Sequence, residues 1–249
     1  MKNENDIIIH RFEDLAERSL CNYTPTYTDF LDMNEQSMLS SSYLPCSFTL
    51  YGGYEMAERK IACFNEEELT GEAPDFPAVW LKISPTAPKF ANELSHRDFL
   101  GALMNLGLER CVFGDLIINE NTCFVYTLEK IAPYILESLT TVSRTKVSCQ
   151  TIDELPAMSL KEPEEITVIA SSNRADALIA SVYNLSRSDA LSLIESGKVF
   201  INSVVLSQNH KTLKENDTVS TRGFGRFVFV AETDNKTRSG KSRIVIKKF

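Results

Sequence analysis

No apolar run near the start of the chain is long enough for a signal-peptide core or a membrane span. Met1 to Glu13 is polar and acidic, with only Ile7 to Ile9 apolar, far short of the roughly 20 residues a span requires. The expected location is the cytoplasm. Paired cysteine spacing is also missing. Six cysteines, Cys21, Cys46, Cys63, Cys111, Cys123 and Cys149, are scattered without any Cys-x-x-Cys. A zinc site or disulfide framework needs such clustering, so reduced and mostly buried thiols are expected, with no metal. Kinase chemistry is excluded in the same way. His96-Arg97-Asp98 has the order of a catalytic loop, but Gly-x-Gly-x-x-Gly is absent and Asp-Phe-Gly occurs only reversed, as Phe113-Gly114-Asp115. No cofactor is implied.

What is present is an ordinary globular composition, 43% hydrophobic and 24% charged over 249 residues. That is enough for two or three compact units, each with its own core. The net charge of −8 looks wrong for a nucleic-acid binder until it is divided along the chain. Ala170 to Phe249 holds 13 Lys and Arg against 7 Asp and Glu, a balance of +6; the remainder holds 13 against 27, a balance of −14. An acidic body with a basic end is the asymmetry expected when one end binds a polyanion.

Residues 1–75 read as an αβ segment. Ile8, Phe12, Leu15, Ala16 and Leu20 are spaced for one helix face. Thr28 or Asp29 is placed to cap a second helix, and two strand-like runs, Ser47 to Tyr51 and Lys60 to Phe64, flank Gly52 to Arg59. The Gly52-Gly53 pair is read as a turn or bulge with a buried salt bridge to Arg59 or Lys60, in preference to a phosphate cradle, because Glu55 and Glu58 follow at once. Glu66 to Pro77 is a plausible linker.

Residues 76–155 give strand, helix, strand, strand, helix, strand, with Asn119-Glu120-Asn121 as a tight turn between the middle strands. That βαββαβ order is ferredoxin-like, the arrangement RNA-recognition motifs (RRMs) also use. The run Cys123-Phe124-Val125-Tyr126 lacks the basic residue and glycine of an RRM's RNA-facing strand, so Phe124 and Tyr126 are read as core. His96-Arg97-Asp98 is a helix start, with His96 and Arg97 either phosphate contacts or neighbours of a structural cap. Arg144 and Lys146, two apart and so on one strand face, are a second possible RNA contact or a solvated face.

A second linker, Asp153 to Glu165, precedes a basic module over residues 166–249. Ser172 to Tyr183 reads as a capped helix. Ser186 to Ser196 reads as another, with Ser186 accepting the N-terminal amides and Gly197 taking the left-handed stop. Val199-Phe200-Ile201 and Val204-Val205-Leu206 form a hairpin around Asn202-Ser203, and Leu213 to Thr221 and Phe227 to Ala231 supply further strands around Arg222-Gly223-Phe224-Gly225-Arg226. Lys236 to Lys248 is a solvated tail or an ordered RNA contact. Arg174, Arg187 and Lys198 lie near helix ends and a Gly turn, where guanidinium forks and backbone amides can hold phosphates.

This module resembles the RNA-binding domain of small-subunit ribosomal protein S-four through Arg174-Ala175-Asp176, Ser186-Arg187, Ala190, Leu193-Ile194, Gly197, Val199, Asn202 and Leu213 to Val219. The family has Leu where Ala175 stands and often Gly where Ser203 stands. The resemblance implies that Arg174, Ser186, Arg187 and Asn202 face RNA; local charge adds Lys198, Arg222 and Arg226. Six further motifs in order extend it to the YlmH family: Thr28 to Asp32, Gly52 to Glu55 with Ala57 to Lys60, His96 to Leu103, Phe113 to Asp115, Val142 to Lys146 and Arg222 to Phe227.

The expected fold class is therefore α+β: the N-terminal αβ segment, the ferredoxin-like, RRM-like middle domain and the small S-four-like RNA-binding domain. Membership of that family implies a non-enzymatic protein that binds ribosomal RNA of the large subunit carrying peptidyl-tRNA, in ribosome-associated quality control of stalled translation. It also implies a link to cell division, so a scaffold or regulator with a protein partner is one alternative. An RNA-modifying enzyme related to pseudouridine synthases is another, although residues before Glu165 offer no room for its larger catalytic domain.

Overall fold

The computed structural model describes residues 4–65, 69, 71, 74–159, 163–233, 237 and 240–249. The chain divides into two compact units, Met1–Leu160 and Lys161–Phe249. Parts of both expected linkers and of the Lys236 to Lys248 run lie outside the described residues.

The first unit opens with α1 (Glu4–Asn22), β1 (Thr26–Tyr27), α2 (Met33–Ser41), β2 (Phe48–Tyr51) and β3 (Ile61–Phe64), the strands pairing antiparallel in the order β1-β3-β2. The apolar stripe of α1 buries Phe12 and Ala16 against Leu31, Leu39, Ala62 and Phe64. The cap of α2 is neither Thr28 nor Asp29. Asp32 Oδ1 accepts from the amides of Asn34 (2.8 Å) and Glu35 (3.0 Å), and Glu35 Oε2 accepts from the Asp32 amide (2.7 Å), a reciprocal capping box. Thr28 Oγ1 instead accepts from the Ala62 amide at 2.9 Å, and Asp29 pairs with Arg11 at 3.0 Å and Lys130 at 3.6 Å.

Next come β4 (Ala78–Pro85), α3 (His96–Met104), β5 (Phe113–Asn119), β6 (Thr122–Leu128), α4 (Ala132–Ser138), β7 (Thr141–Val142) and β8 (Thr145–Ile152). The sheet order is β5-β6-β4-β8-β7, with every neighbouring pair antiparallel. This is the ferredoxin-like arrangement with one short extra strand. Strand alternation sends Leu81, Ile83, Cys123 and Val125 toward the helices, where they pack on Phe99, Leu103 and Ile135. The opposite face carries Trp80, Phe124, Tyr126 and Leu128, and it too is buried, under Phe30 and Ile61. Tyr126 meets Trp80 at 5.0 Å and Phe30 at 5.8 Å between ring centroids. The face an RRM offers to bases is interior here, in agreement with the reading of Phe124 and Tyr126 as core.

Several motifs that carry the family resemblance form this joint. Asp115 accepts from Tyr54 Oη at 2.9 Å and from the amides of Glu58 (2.7 Å) and Arg59 (3.1 Å). The Arg59 guanidinium goes to the carbonyls of Phe113 and Phe30 (3.2 and 2.9 Å), where a salt bridge within the Gly52 to Lys60 loop was expected. A Cβ on Gly114 would stand 2.8 Å from the Phe30 ring, and one on Gly53, whose φ is +91°, would stand 2.7 Å from Trp80.

The second unit comprises β9 (Glu164–Ala170), α5 (Ala175–Val182), α6 (Arg187–Glu195), β10 (Val199–Ile201), β11 (Val204–Val205), β12 (Thr218–Thr221), β13 (Gly225–Thr233) and β14 (Ser242–Lys248). One sheet in the order β11-β10-β12-β13-β14-β9 carries α5 and α6, around a core that includes Leu178, Ile194, Phe227, Ile244 and Ile246. Two strands were not anticipated. β9 starts inside the expected linker, and β14 occupies most of the expected tail, pairing with β9 from Ser242↔Ala170 to Lys248↔Glu164. The helix expected from Ser172 starts at Ala175, with Arg174 in the N-cap position and no side chain accepting from its amides.

The six cysteines are all free. Cys63 and Cys123 are buried, Cys46, Cys111 and Cys149 partly so, and Cys21 is exposed, so mostly buried was an overstatement.

Candidate nucleic-acid interface

In the second unit the first turns of α5 and α6 are joined through one carboxylate. Asp176 is 1% exposed and accepts a two-point fork from Arg174, with Nε to Oδ1 and Nη2 to Oδ2 both at 3.0 Å. Arg187, from the start of α6, places Nε and Nη2 on the same Oδ2 at 3.2 and 3.1 Å. Burial pushes the Asp176 carboxyl up, but the hydrogen bonds and charges of Arg174 and Arg187 outweigh it and hold the group below its ordinary value. Two cations against one anion leave a net positive charge. Both arginine side chains stay partly open to solvent, 37% exposed for Arg174 and 57% for Arg187. Such a fixed fork suits phosphate oxygens.

Ser186 caps α6 as expected, accepting from the Asp189 amide at 3.1 Å, and its hydroxyl also donates to Asp189 Oδ2 at 2.6 Å. Gly197 takes the left-handed stop at φ +66°. Lys198 follows it, exposed, and its carbonyl accepts from the Arg222 amide at 2.9 Å, which brings Lys198 and Arg222 to one end of β10 and β12. Asn202 lies at the other end of β10. It holds the left-handed hairpin turn (φ +52°), donating to Asp217 Oδ1 at 2.8 Å and accepting from the Thr218 amide at 2.9 Å. Both ends of its amide are thus engaged within the module. Arg226 stacks over the Phe249 ring with Cζ 4.9 Å from the centroid, and Arg222 over Phe200 at 5.7 Å.

The middle-domain candidates come from three elements: the start of α3, the turn after β7, and β8. Ser95 caps α3 through a reciprocal box with Asp98, so His96-Arg97-Asp98 is a helix start. The Ser95 hydrogen bonds hold the Asp98 carboxyl below its ordinary value. Partial burial and the nearby Arg110 charge, against an opposing pull from Asp115, hold the His96 ring below its ordinary value. Arg97 borders an open groove of about 440 Å³ with Asn105, Ser138, Thr140 and Ser143. Arg144 is not on the strand with Lys146. It sits in the turn between β7 and β8, beside Ser143 at φ +55°, while Lys146 is exposed on β8.

Sequence reasoning gives Asp176 no role of its own, although the Arg-x-Asp spacing that sets up the first fork is its signal. Among the described residues no group of three or more His, Cys, Asp and Glu is placed to hold a metal, and no helix is long and apolar enough to cross a membrane.

Residues 72–155 match the family model described as the RNA-binding domain in YlmH. The chain is similar to the ribosome-associated protein quality control protein P2 of Bacillus subtilis (strain 168), with 34% identity over 232 residues, 91% of this chain and 88% of that protein. Among solved structures it is similar to the cell division protein ylmH from Streptococcus pneumoniae, with a TM-score of 0.49 and 20% identity over 61% of this chain and 93% of that one. A match at 34% identity that runs nearly end to end on both sides is a relationship of whole chains, and the chain belongs to the YlmH family of RNA-binding proteins.

Proposed function

We propose that this protein is a non-enzymatic, cytoplasmic RNA-binding factor that associates with the large ribosomal subunit carrying peptidyl-tRNA and serves ribosome-associated quality control. The observation that carries the reading is the Asp176-held pair of Arg174 and Arg187 on the basic module. The name of the Bacillus subtilis relative supports the ribosomal setting.

In this reading Arg174, Ser186 and Arg187 grip the RNA backbone at the helix starts, and Lys198, Arg222 and Arg226 extend the grip along the sheet end. Asn202 contributes by fixing the turn it occupies. Phosphate contacts supply most of the affinity, so binding weakens steeply with salt, by close to one unit of log-log slope per phosphate neutralised. The middle domain, supported by its match to the family model named for an RNA-binding domain in YlmH, makes a second contact through His96, Arg97, Arg144 or Lys146, while its aromatic sheet face stays packed inside.

The experiment is cosedimentation of Arg187→Ala with large subunits. Binding should fall at least tenfold while the melting curve stays cooperative; normal cosedimentation of a folded mutant would count against the site. Altered nucleotides after incubation with ribosomal RNA would instead favour a modifying enzyme. Retention of a division protein without ribosome binding would favour a scaffold.

A further inference from the structure

At one end of the joint in the first unit the aromatic sheet face borders a cavity. It holds about 340 Å³ and is lined by Tyr51 from the end of β2, Trp80 from β4, Tyr126 from β6, and Asp153 and Glu154 just after β8. No Lys, Arg or His is among the described residues that line it.

The strand register brings these walls together. Trp80 pairs with Tyr126 on one side and with Ile152 on the other, so both rings stand on one face of the sheet where β8 ends. Their centroids are 5.0 Å apart with planes at 38°, and Tyr51 meets Tyr126 edge-on at 6.1 Å. Tyr51 Oη donates to the Gly53 carbonyl at 3.0 Å, and Gly53 lies so close to the other two rings that a Cβ there would stand 2.7 Å from Trp80 and 2.8 Å from Tyr126. The three rings are therefore fixed by the fold.

Two observations point to what the cavity takes. Tyr126 is 5% exposed, yet among the described residues no donor or acceptor meets its Oη, an unusual state for a buried hydroxyl. Burial first, and then the neighbouring Tyr51 and Asp75, push this phenol up to about 12, so it stays neutral with a carboxylate in electrostatic reach. The second observation is the sign of the charge: Asp153 and Glu154 in the wall, Asp75 near the phenol, and no cation in the lining.

An unpaired nucleotide would bring its phosphates to those carboxylates, and an apolar side chain would leave the phenol unmatched. A guanidinium suits both features. It is flat and weakly hydrated, stacks on aromatic faces, and carries several N–H donors for phenol and carboxylate oxygens.

We propose that this cavity receives the guanidinium of an arginine side chain carried by a partner protein, with Tyr51, Trp80 and Tyr126 as its aromatic wall and Asp153 and Glu154 as the counter-charge. The inference goes beyond the RNA-binding reading and stands independently of it.

Trp80 is the chain's one tryptophan, so the full-length protein carries its own reporter. The probe is a capped pentapeptide of glycine and serine with one central arginine, titrated while tryptophan fluorescence is followed. The same peptide with citrulline, of similar shape but neutral, and free spermidine are the comparisons. A saturable change is expected with the arginine peptide, and binding about tenfold weaker or less with citrulline and with spermidine. Tyr126→Phe removes only the hydroxyl and should weaken the arginine peptide about tenfold with the melting curve unchanged. Asp153→Asn combined with Glu154→Gln, both exposed positions, should weaken it several-fold and make the remaining binding less sensitive to salt. No fluorescence change, citrulline binding as tight as arginine, or full affinity in both variants overturns the site. Saturation by spermidine where the arginine peptide is inert overturns the arginine assignment. If Tyr126→Phe fails to fold, the result with the Asp153 and Glu154 double variant decides.

Discussion

Arg187 and Asp176 are eleven residues apart and on different helices, yet both Nε and Nη2 of Arg187 donate to one oxygen of Asp176, at 3.2 and 3.1 Å. Arg174 takes the same carboxylate from the other side. The pair therefore stands in a fixed relation, set by a group that is itself out of reach of RNA. In the proposed reading Asp176 is a positioning residue, and Arg174 and Arg187 are the RNA contacts it positions.

Replacing Asp176 by Asn removes the charge that holds both forks. Breaking a fully buried pair costs about 3–5 kcal/mol because the surviving charge stays buried. Here the survivors are partly exposed arginines that can turn to water, so the loss should be smaller, on the order of 1–3 kcal/mol. Urea unfolding measures it. An unchanged midpoint would show that the carboxylate contributes nothing to the fold.

The same carboxylate gives a pH signature. Its folded-state pKa lies below the ordinary value of 3.8, so its stabilising share is complete above about pH 4 and drains away as the pH falls through the folded value. The stability gap between wild type and Asp176→Asn should therefore be constant from pH 5 to 8 and shrink below pH 4. A gap that widens in acid would contradict the ion-pair account.

The joint in the first unit is sensitive to a single methyl group. Gly114→Ala would bring Cβ to 2.8 Å from the Phe30 ring and 3.3 Å from Tyr126 Cβ, a clash worth roughly 1–3 kcal/mol in a packed core. A lower unfolding midpoint is expected with RNA affinity unchanged at temperatures where the chain stays folded. Equal loss of affinity would tie RNA binding to this joint.

Thiol accessibility checks the burial pattern. Under native conditions at neutral pH, labelling should reach Cys21 first, while Cys63 and Cys123 react only after unfolding. Burial also pushes the Cys149 thiol up to about 11, which slows it further. Fast labelling of Cys123 would contradict the packing of β6.

Local signals were legible in the sequence where one or two residues decide the geometry. Ser186 as a cap, Gly197 as a stop and the Asn202-Ser203 turn all stand where expected, because each depends on its own backbone and near neighbours. β9 and β14 were not legible. β9 joins the sheet by pairing with β14, more than 70 residues further along the chain, and the charges of Arg243, Lys247 and Lys248 disguised the alternation that buries Ile244 and Ile246. Asp32 displaced Thr28 and Asp29 as the α2 cap because those two are drawn into long-range contacts with Ala62, Arg11 and Lys130. Asp176 escaped for the same reason: its second partner, Arg187, becomes a neighbour only after the two helices pack.

The most direct measurement is sedimentation of the full-length protein with separated ribosomal subunits, with and without peptidyl-tRNA, at low and moderate salt. The account predicts salt-sensitive comigration with the large subunit, stronger when peptidyl-tRNA is present. Comigration with neither subunit at any salt, or binding indifferent to peptidyl-tRNA, would contradict it.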